Sequence, residues 1–405
     1  MSVYDAAIVG AGPAGAASAI LLARQGWRVA VVDRAAFPRD KPCAEYLSPA
    51  AEPLLARLGV LDALVRQPVG CLRGFRIYAP DGSHFQGDFA GTHGPDGQSL
   101  FETGLAIPRL QLDATLVAAA REAGAEVREG WRLATLARED GITTLSASTG
   151  ATLRARLILA ADGIHSVVAR RLGLHRPGSL RKIALVAHLR GIEGLTPYGE
   201  MHVAGRRYVG LAPLEPATAG DLCNVALVVD EARDARSLAG RPQAFLLDAL
   251  RTFPALRDRL GALTVARPTL TISRIHASAR EIHGDGLLLV GDAAGYYDPF
   301  TGEGIYRALH SAELAAQVAH EALTGGKTDA LALAPYARLH REAFRGKRAV
   351  ERIIQSAVAV PPLMSHIARQ MRRHPGMADR IVAVTGDFLP PSAVLNPSYL
   401  LLLAL

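Results

Sequence analysis

Residues 4–34, YDAAIVGAGPAGAASAILLARQGWRVAVVDR, restrict the fold more than any other stretch of this chain. The apolar run Ala6–Val9 predicts a buried parallel strand. It leads into Gly10, Gly12 and Gly15 in G-x-G-x-x-G spacing, then into an alanine-rich helix from Ala14 to Gln25 that Gly26 stops. RVAVVD predicts a second strand that ends on Asp33. Gly10 permits a tight turn, Gly12 lets backbone approach a pyrophosphate, and Gly15 lets helix and strand pack closely. Pro13 and Ala14 open the helix whose N-terminus attracts the phosphate charge, and an acid at Asp33 suits a ribose hydroxyl. A glycine-rich turn alone also recurs for packing reasons; strand, helix and acid together predict a dinucleotide site. Arg34 either adds charge at the adenosine end or is a solvated surface arginine.

The remaining composition narrows the class. With 405 residues, 49% hydrophobic and 20% charged, the chain can bury a large core in two or three structural units. The start MSVYDAAIVGAG has the features of neither a signal peptide nor a membrane span, and the three scattered cysteines, Cys43, Cys71 and Cys223, lack CxxC spacing. No zinc site or disulfide framework is expected, and the reading is cytoplasmic. The net charge of +7 is spread along the chain, so nucleic acid is not the expected partner. The terminal LNPSYLLLLAL is too short to span a bilayer; it reads as a buried segment or as an apolar lip for a lipophilic substrate or peripheral membrane contact.

Two further strand–turn–helix signals follow. ARLILAADGIHSVVARRLGL places Asp162–Gly163 after a strand, where small residues bring backbone near a bound group, although Asp162 equally suits a helix N-cap. GLLLVGDAAGYYDPFTGEGIYRAL places Gly291 and Asp292 after a strand, then Pro299, then Gly302–Gly304 at a helix start. Between them, LAIPRLQLDATLVAAAREAGAEVREG carries Arg109 and a helix over about residues 110–123.

GAGPAG, ADGIHS and GDAAG in this order resemble the fingerprints of FAD-dependent monooxygenases of the p-hydroxybenzoate hydroxylase type, over roughly residues 1–335. KPCAEYLSP and DPFTGEGIYRAL resemble the geranylgeranyl reductase branch of that superfamily. The resemblance implies an α/β fold: a Rossmann-like FAD-binding domain of the glutathione-reductase-2 type, an inserted antiparallel substrate sheet, and C-terminal helices. It implies that Asp33 binds the adenosine ribose, Arg109 lies near the phosphates or ribityl chain, and Asp292 contacts the ribityl or pyrophosphate portion. Asp162–Gly163 would support both FAD and the NAD(P)H donor. Pro299 would wall the isoalloxazine, and Gly302, Glu303, Gly304 and Ile305 would begin a helix facing it. PCAEYLSP keeps the branch's Pro42, Cys43 and Glu45 but has Ala44 and Tyr46 where the branch has glycines, so Cys43, Glu45 and Tyr46 are catalytic candidates, as is Tyr208.

Alternating strands at 71–82 and about 180–273 predict the inserted sheet. The expected domains are residues 1–70, 101–178 and 270–333 for FAD, 71–100 and 179–269 for substrate, and 334–405 as helices over the active site, with a monomer or homodimer as the assembly. YVGLAPL (208–214) has Gly210 and Ala212 where reductases often carry a YxWxFP-like element, and lacks the WxWxIP motif of flavin halogenases. His202 and His276 lie on expected strands and read as core or surface residues. The leading expectation is NAD(P)H-dependent hydroxylation of a lipophilic, phenolic or polyketide-like substrate. The rivals are reduction of prenyl double bonds and flavin binding without turnover.

Overall fold

The computed structural model describes residues 2–89, 103–216 and 218–404, so the expected domain boundary at 100/101 lies outside the described residues. Strands Leu287–Leu289, Thr152–Ala160, Tyr4–Val9, Val29–Val32 and Glu126–Arg128 run parallel in that order. Ala6, Ala7 and Ile8 are fully buried, as a strand covered on both faces must be. Helices Pro13–Arg24, Arg109–Glu122 and Gly304–Thr324 pack on one face. Their approach is close because side chains are small: a Cβ on Gly15 would stand 1.8 Å from the Gly10 carbonyl oxygen. The hairpin Leu133–Glu139/Ile142–Ala147 extends the Thr152–Ala160 strand antiparallel, and with helix Val167–Arg171 helps cover the other face.

The second sheet has seven strands, in the order Leu260–Ser273, Lys182–Ile192, Cys223–Asp230, Arg207–Pro213, Gly199–Ala204, Gly74–Tyr78, His84–Asp88. It is antiparallel apart from the pair Gly199–Ala204 with Gly74–Tyr78, which runs parallel. That exception to the antiparallel expectation has a topological cause: the chain leaves the sheet after residue 88 and rejoins it only after building much of the first domain. Helices Glu231–Leu238 and Pro242–Leu250 flank one face. The opposite face packs on helices Lys347–Ala359, Pro361–Arg373 and Pro375–Thr385.

Cross-strand register gives that opposite face a continuous row. Val186 pairs with Ala226, Ala226 with Gly210, Gly210 with Met201, Met201 with Ile77, and Ile77 with Phe85. Paired residues project to one side of a sheet, so the row is a floor. It begins in the cleft described below and ends in an apolar pocket under the C-terminal helices. Among the described residues no helix is long and apolar enough to cross a membrane.

Candidate active site and cofactor cleft

The carboxyl ends of Tyr4–Val9, Thr152–Ala160 and Leu287–Leu289 open onto one cleft, where ligands of open parallel sheets bind. It encloses about 1110 Å³ of empty space, part of it open to solvent. Gly12, Pro13, Ala14, Cys43, Glu45, Tyr46, Arg109, Gly163, Asp292, Pro299, Gly302, Gly304 and Ile305 line it. The motifs of the sequence thus converge from five separate segments.

Gly10 and Gly15 work beneath the surface. Gly10 has φ +99°, and a Cβ there would stand 2.5 Å from the Ala161 oxygen. Gly12 is open upward: its Cβ would face the guanidinium nitrogens of Arg39 and Arg109 at 3.5 and 3.8 Å. Both arginines are anchored on Asp113, at 2.9 Å from Arg39 and 2.8 Å from Arg109. Burial works against the Arg109 charge, but Asp113 more than offsets it and raises the guanidinium above its ordinary value. Burial lowers Arg39, and it lowers the ammonium of Lys41, which also borders the cleft, with Arg109 adding to the effect. Arg39 and Arg109 on one fully buried carboxylate, with Lys41 beside them, place positive charge above a glycine, suited to a pyrophosphate. Arg39, Lys41 and Asp113 escaped the sequence reading because they sit in an aperiodic loop and mid-helix; the basic residues of FPRDKPC were the available signal.

Asp33 accepts from the Ala11 amide at 2.7 Å and the Ala35 amide at 2.8 Å, which leaves each oxygen one lone pair for a ribose. Arg34 is exposed beside it and does not border the cleft. Asp162 accepts from the amides of Val167 and Val168 at 2.6 and 3.2 Å, so it does cap the following helix, while its other oxygen is buried without a hydrogen-bond partner among the described residues. Gly291 donates its amide to Ser311 behind the cleft. Glu303 turns away: its backbone neighbours line the cleft, but its carboxylate lies 3.5 Å from Lys347. Tyr208 is likewise behind the wall, with its hydroxyl donating to Asp298 at 2.6 Å. Asp298, unremarked in the sequence, also accepts from Lys182, Gln355 and the Phe300 amide, and so fixes the turn that carries Pro299.

Glu45 is fully buried and has φ +58°. Its carboxylate meets His188 at 2.6 Å, Arg267 at 2.9 Å and the Arg109 amide at 3.0 Å. Asn224 bonds the Cys43 carbonyl at 2.9 Å, pinning this loop to the second sheet. His188, Arg267 and Asn224 lie more than a hundred residues away in sequence, and nothing local announces them. His202 pairs with Glu200 at 2.8 Å inside the sheet, and His276 with the Leu180 amide; neither borders the cleft.

FAD fits these residues. The glycine cradle, the arginine slot, Gly163 and the amino end of helix Gly304–Thr324 supply complementary groups along one cleft. A Rossmann-like domain with this cleft and an inserted sheet defines a flavin-binding oxidoreductase. The chain belongs to the FAD binding domain family, whose model matches residues 3–344. Among known proteins it is similar to conditioned medium factor receptor 1 of Dictyostelium discoideum, 30% identical across 78% of this chain; the chain spans 62% of that protein's length. It is 31% identical to digeranylgeranylglycerophospholipid reductase of Methanosphaerula palustris, over 85% of this chain and 83% of that one. It is 29% identical to menaquinone reductase of Mycolicibacterium smegmatis, over 80% and 78%. A flavoprotein/dehydrogenase structure from Cytophaga hutchinsonii superposes with TM-score 0.82 at 19% identity, covering 99% and 95%. A halogenase solved with phloroglucinol and FAD gives 0.77 at 17%, covering 99% and 90%. These structural likenesses establish the fold alone.

Proposed function

We propose that this chain is an FAD-dependent, NAD(P)H-consuming reductase that saturates isoprenoid double bonds of a lipid. The observation that carries the reading is the apolar pocket beyond the cleft, about 920 Å³, lined by Phe75, Met201, Phe300, Ile354, Met364, Ile367 and similar side chains. Among the described residues no Asp, Glu, His, Lys or Arg lines it. Hydroxylation of a phenol is helped by a base that deprotonates its hydroxyl; the polar side chains that those residues place on this pocket's wall are the hydroxyls of Thr301, Thr385 and Tyr399, none of them a base at neutral pH. An alkene has no hydroxyl to ionise, and apolar burial with alignment, which the sheet floor supports, is what positions it. The names of the reductases from Methanosphaerula and Mycolicibacterium favour the same reading over the hydroxylation expected from sequence.

Bound FAD, once reduced, would supply hydride. The residues named above hold its phosphates and ribose and shield its reacting edge from water. Ile353 and Leu400 line the pocket and are 39% and 41% exposed, and Leu401 and Leu402 continue the apolar surface outward. We place lipid entry there, from a membrane surface. The test is NAD(P)H consumption under nitrogen with menaquinone or geranylgeranyl lipids, compared with phenols in air. Reduced lipid formed without oxygen supports the reading; oxygen-dependent phenol hydroxylation replaces it.

A further inference from the structure

Reduction of an alkene by NAD(P)H consumes one proton, yet the pocket described above is apolar, and among the described residues its one ionisable lining group is the Tyr399 hydroxyl. That hydroxyl is already committed to the Met377 carbonyl at 2.8 Å. Tyr46 stands at the boundary. It lines the cofactor cleft, its ring lies edge-on to Phe75 of the apolar pocket at 4.9 Å, and a Cβ on Gly302 would stand 2.6 Å from it. Its hydroxyl is buried without a hydrogen-bond partner among the described residues.

A polar column lies behind it. One oxygen of Glu303 is also buried without a partner; the other faces Lys347 at 3.5 Å. Lys347 pairs with Asp387 at 2.7 Å, and Asp387 accepts from Ser48, which shares the strand face of Tyr46, at 3.3 Å. Asp387 holds φ +69°, a conformation a non-glycine residue keeps only where its surroundings impose it. Lys347 and Asp387 reach a solvent-open cavity together with Tyr306 and Arg345. Arg307 and Glu351, paired at 3.1 Å, flank the column. Two buried oxygens without partners among the described residues, each costing roughly 1–3 kcal/mol, thus stand in front of a buried ion pair that borders a solvent-open cavity.

We propose that Tyr46 donates the proton to the alkene, and that Glu303 with the Lys347–Asp387 pair restores it from the rear cavity. This rests on the reductase reading. One alkene carbon takes the Tyr46 proton as its O–H bond breaks; the neighbouring carbon takes a hydride from the reduced flavin as the π bond opens. The alkene thereby gains two electrons and the flavin loses two. The phenolate takes the Glu303 carboxyl proton, and cavity water reprotonates Glu303 past Lys347 and Asp387. Burial, with the charges of Asp387 and Glu303, raises the Tyr46 phenol well above its ordinary value, so it is protonated between turnovers.

The test uses FAD-loaded wild type, Tyr46→Phe, Glu303→Gln and the control Tyr78→Phe, whose parent ring stacks on His202 in the second sheet and borders neither the cleft nor the apolar pocket. Infrared spectra at neutral pH report the carboxyls directly. A protonated-carboxyl band absent from E303Q and displaced in Y46F is expected; unchanged spectra in both variants overturn the relay. In stopped flow, each protein is reduced by dithionite under nitrogen and mixed with geranylgeranyl lipid. Flavin reduction should match in all four, while reoxidation in Y46F falls about 100-fold or more, the span of general acid catalysis, and Y78F stays near wild type. Reoxidation of Y46F at the wild-type rate overturns the proposal. A wild type that is not reoxidised by lipid refutes the reductase reading instead, and the infrared arm still decides the relay.

Discussion

Replacing Asp298 by asparagine removes one charge from a junction that joins both domains and the C-terminal helices. Asp298 is 3% exposed; its carboxylate holds Lys182 at 2.7 Å, Tyr208 at 2.6 Å, Gln355 at 2.7 Å and the Phe300 amide at 3.0 Å. Asparagine keeps an oxygen for Tyr208 and Phe300 but leaves the Lys182 ammonium without its counter-charge. Breaking a buried pair in this way costs about 3–5 kcal/mol. The Lys182 side chain is 13% exposed and keeps a contact with Gln355, which places D298N near the lower end, about 3 kcal/mol. Urea unfolding of the FAD-free protein should show this as a lower midpoint at unchanged slope. Lys182→Met in the D298N background should return a large part of the loss, because it removes the uncompensated charge. A D298N protein within about 0.5 kcal/mol of wild type, or strictly additive single and double variants, would refute this account of the junction.

Three other outcomes follow from the same geometry. Arg109→Ala should weaken FAD binding about 10- to 100-fold, the equivalent of a charge-assisted hydrogen bond of roughly 1.5–3 kcal/mol; flavin fluorescence titration reads it, and an unchanged Kd contradicts the arginine slot. Gly302→Ala should destabilise through its φ of +73° and its approach to Tyr46, and the penalty should be smaller in a Tyr46→Ala background, where thermal unfolding isolates the backbone part. Burial and then Asp387 raise the Glu303 carboxyl to about 8. An acid raised on folding contributes its full stability below its unfolded value near 4.5 and loses it as pH rises through 8, so E303Q should gain on wild type across that window in urea unfolding; parallel pH curves would remove Glu303 from the proton column.

What could be read from sequence was what is local. Strand Tyr4–Val9, its glycines and helix Pro13–Arg24 follow from apolar runs and from residues that need positive φ or no Cβ, and those signals sit within a few positions of each other. The three fingerprints also carried the cofactor, since each marks where a parallel strand ends. Side-chain direction was not local. Glu303 and Tyr208 belong to segments whose backbone or neighbours border the cleft, yet both point into the protein, toward Lys347 and Asp298. The Glu45–His188–Arg267 group joins three segments only when the second sheet docks on the loop after Asp33. The parallel pair Gly199–Ala204/Gly74–Tyr78 needed the path of the whole chain.

The most direct measurement of the central claim starts with FAD-loaded protein, reduced by NADH or NADPH under nitrogen and then mixed with a menaquinone or geranylgeranyl lipid. The account predicts bleaching by the nicotinamide, return of the flavin absorbance on adding lipid, and a lipid product that has gained two hydrogens. A protein that takes up no FAD, or a reduced flavin that only oxygen restores, would contradict it.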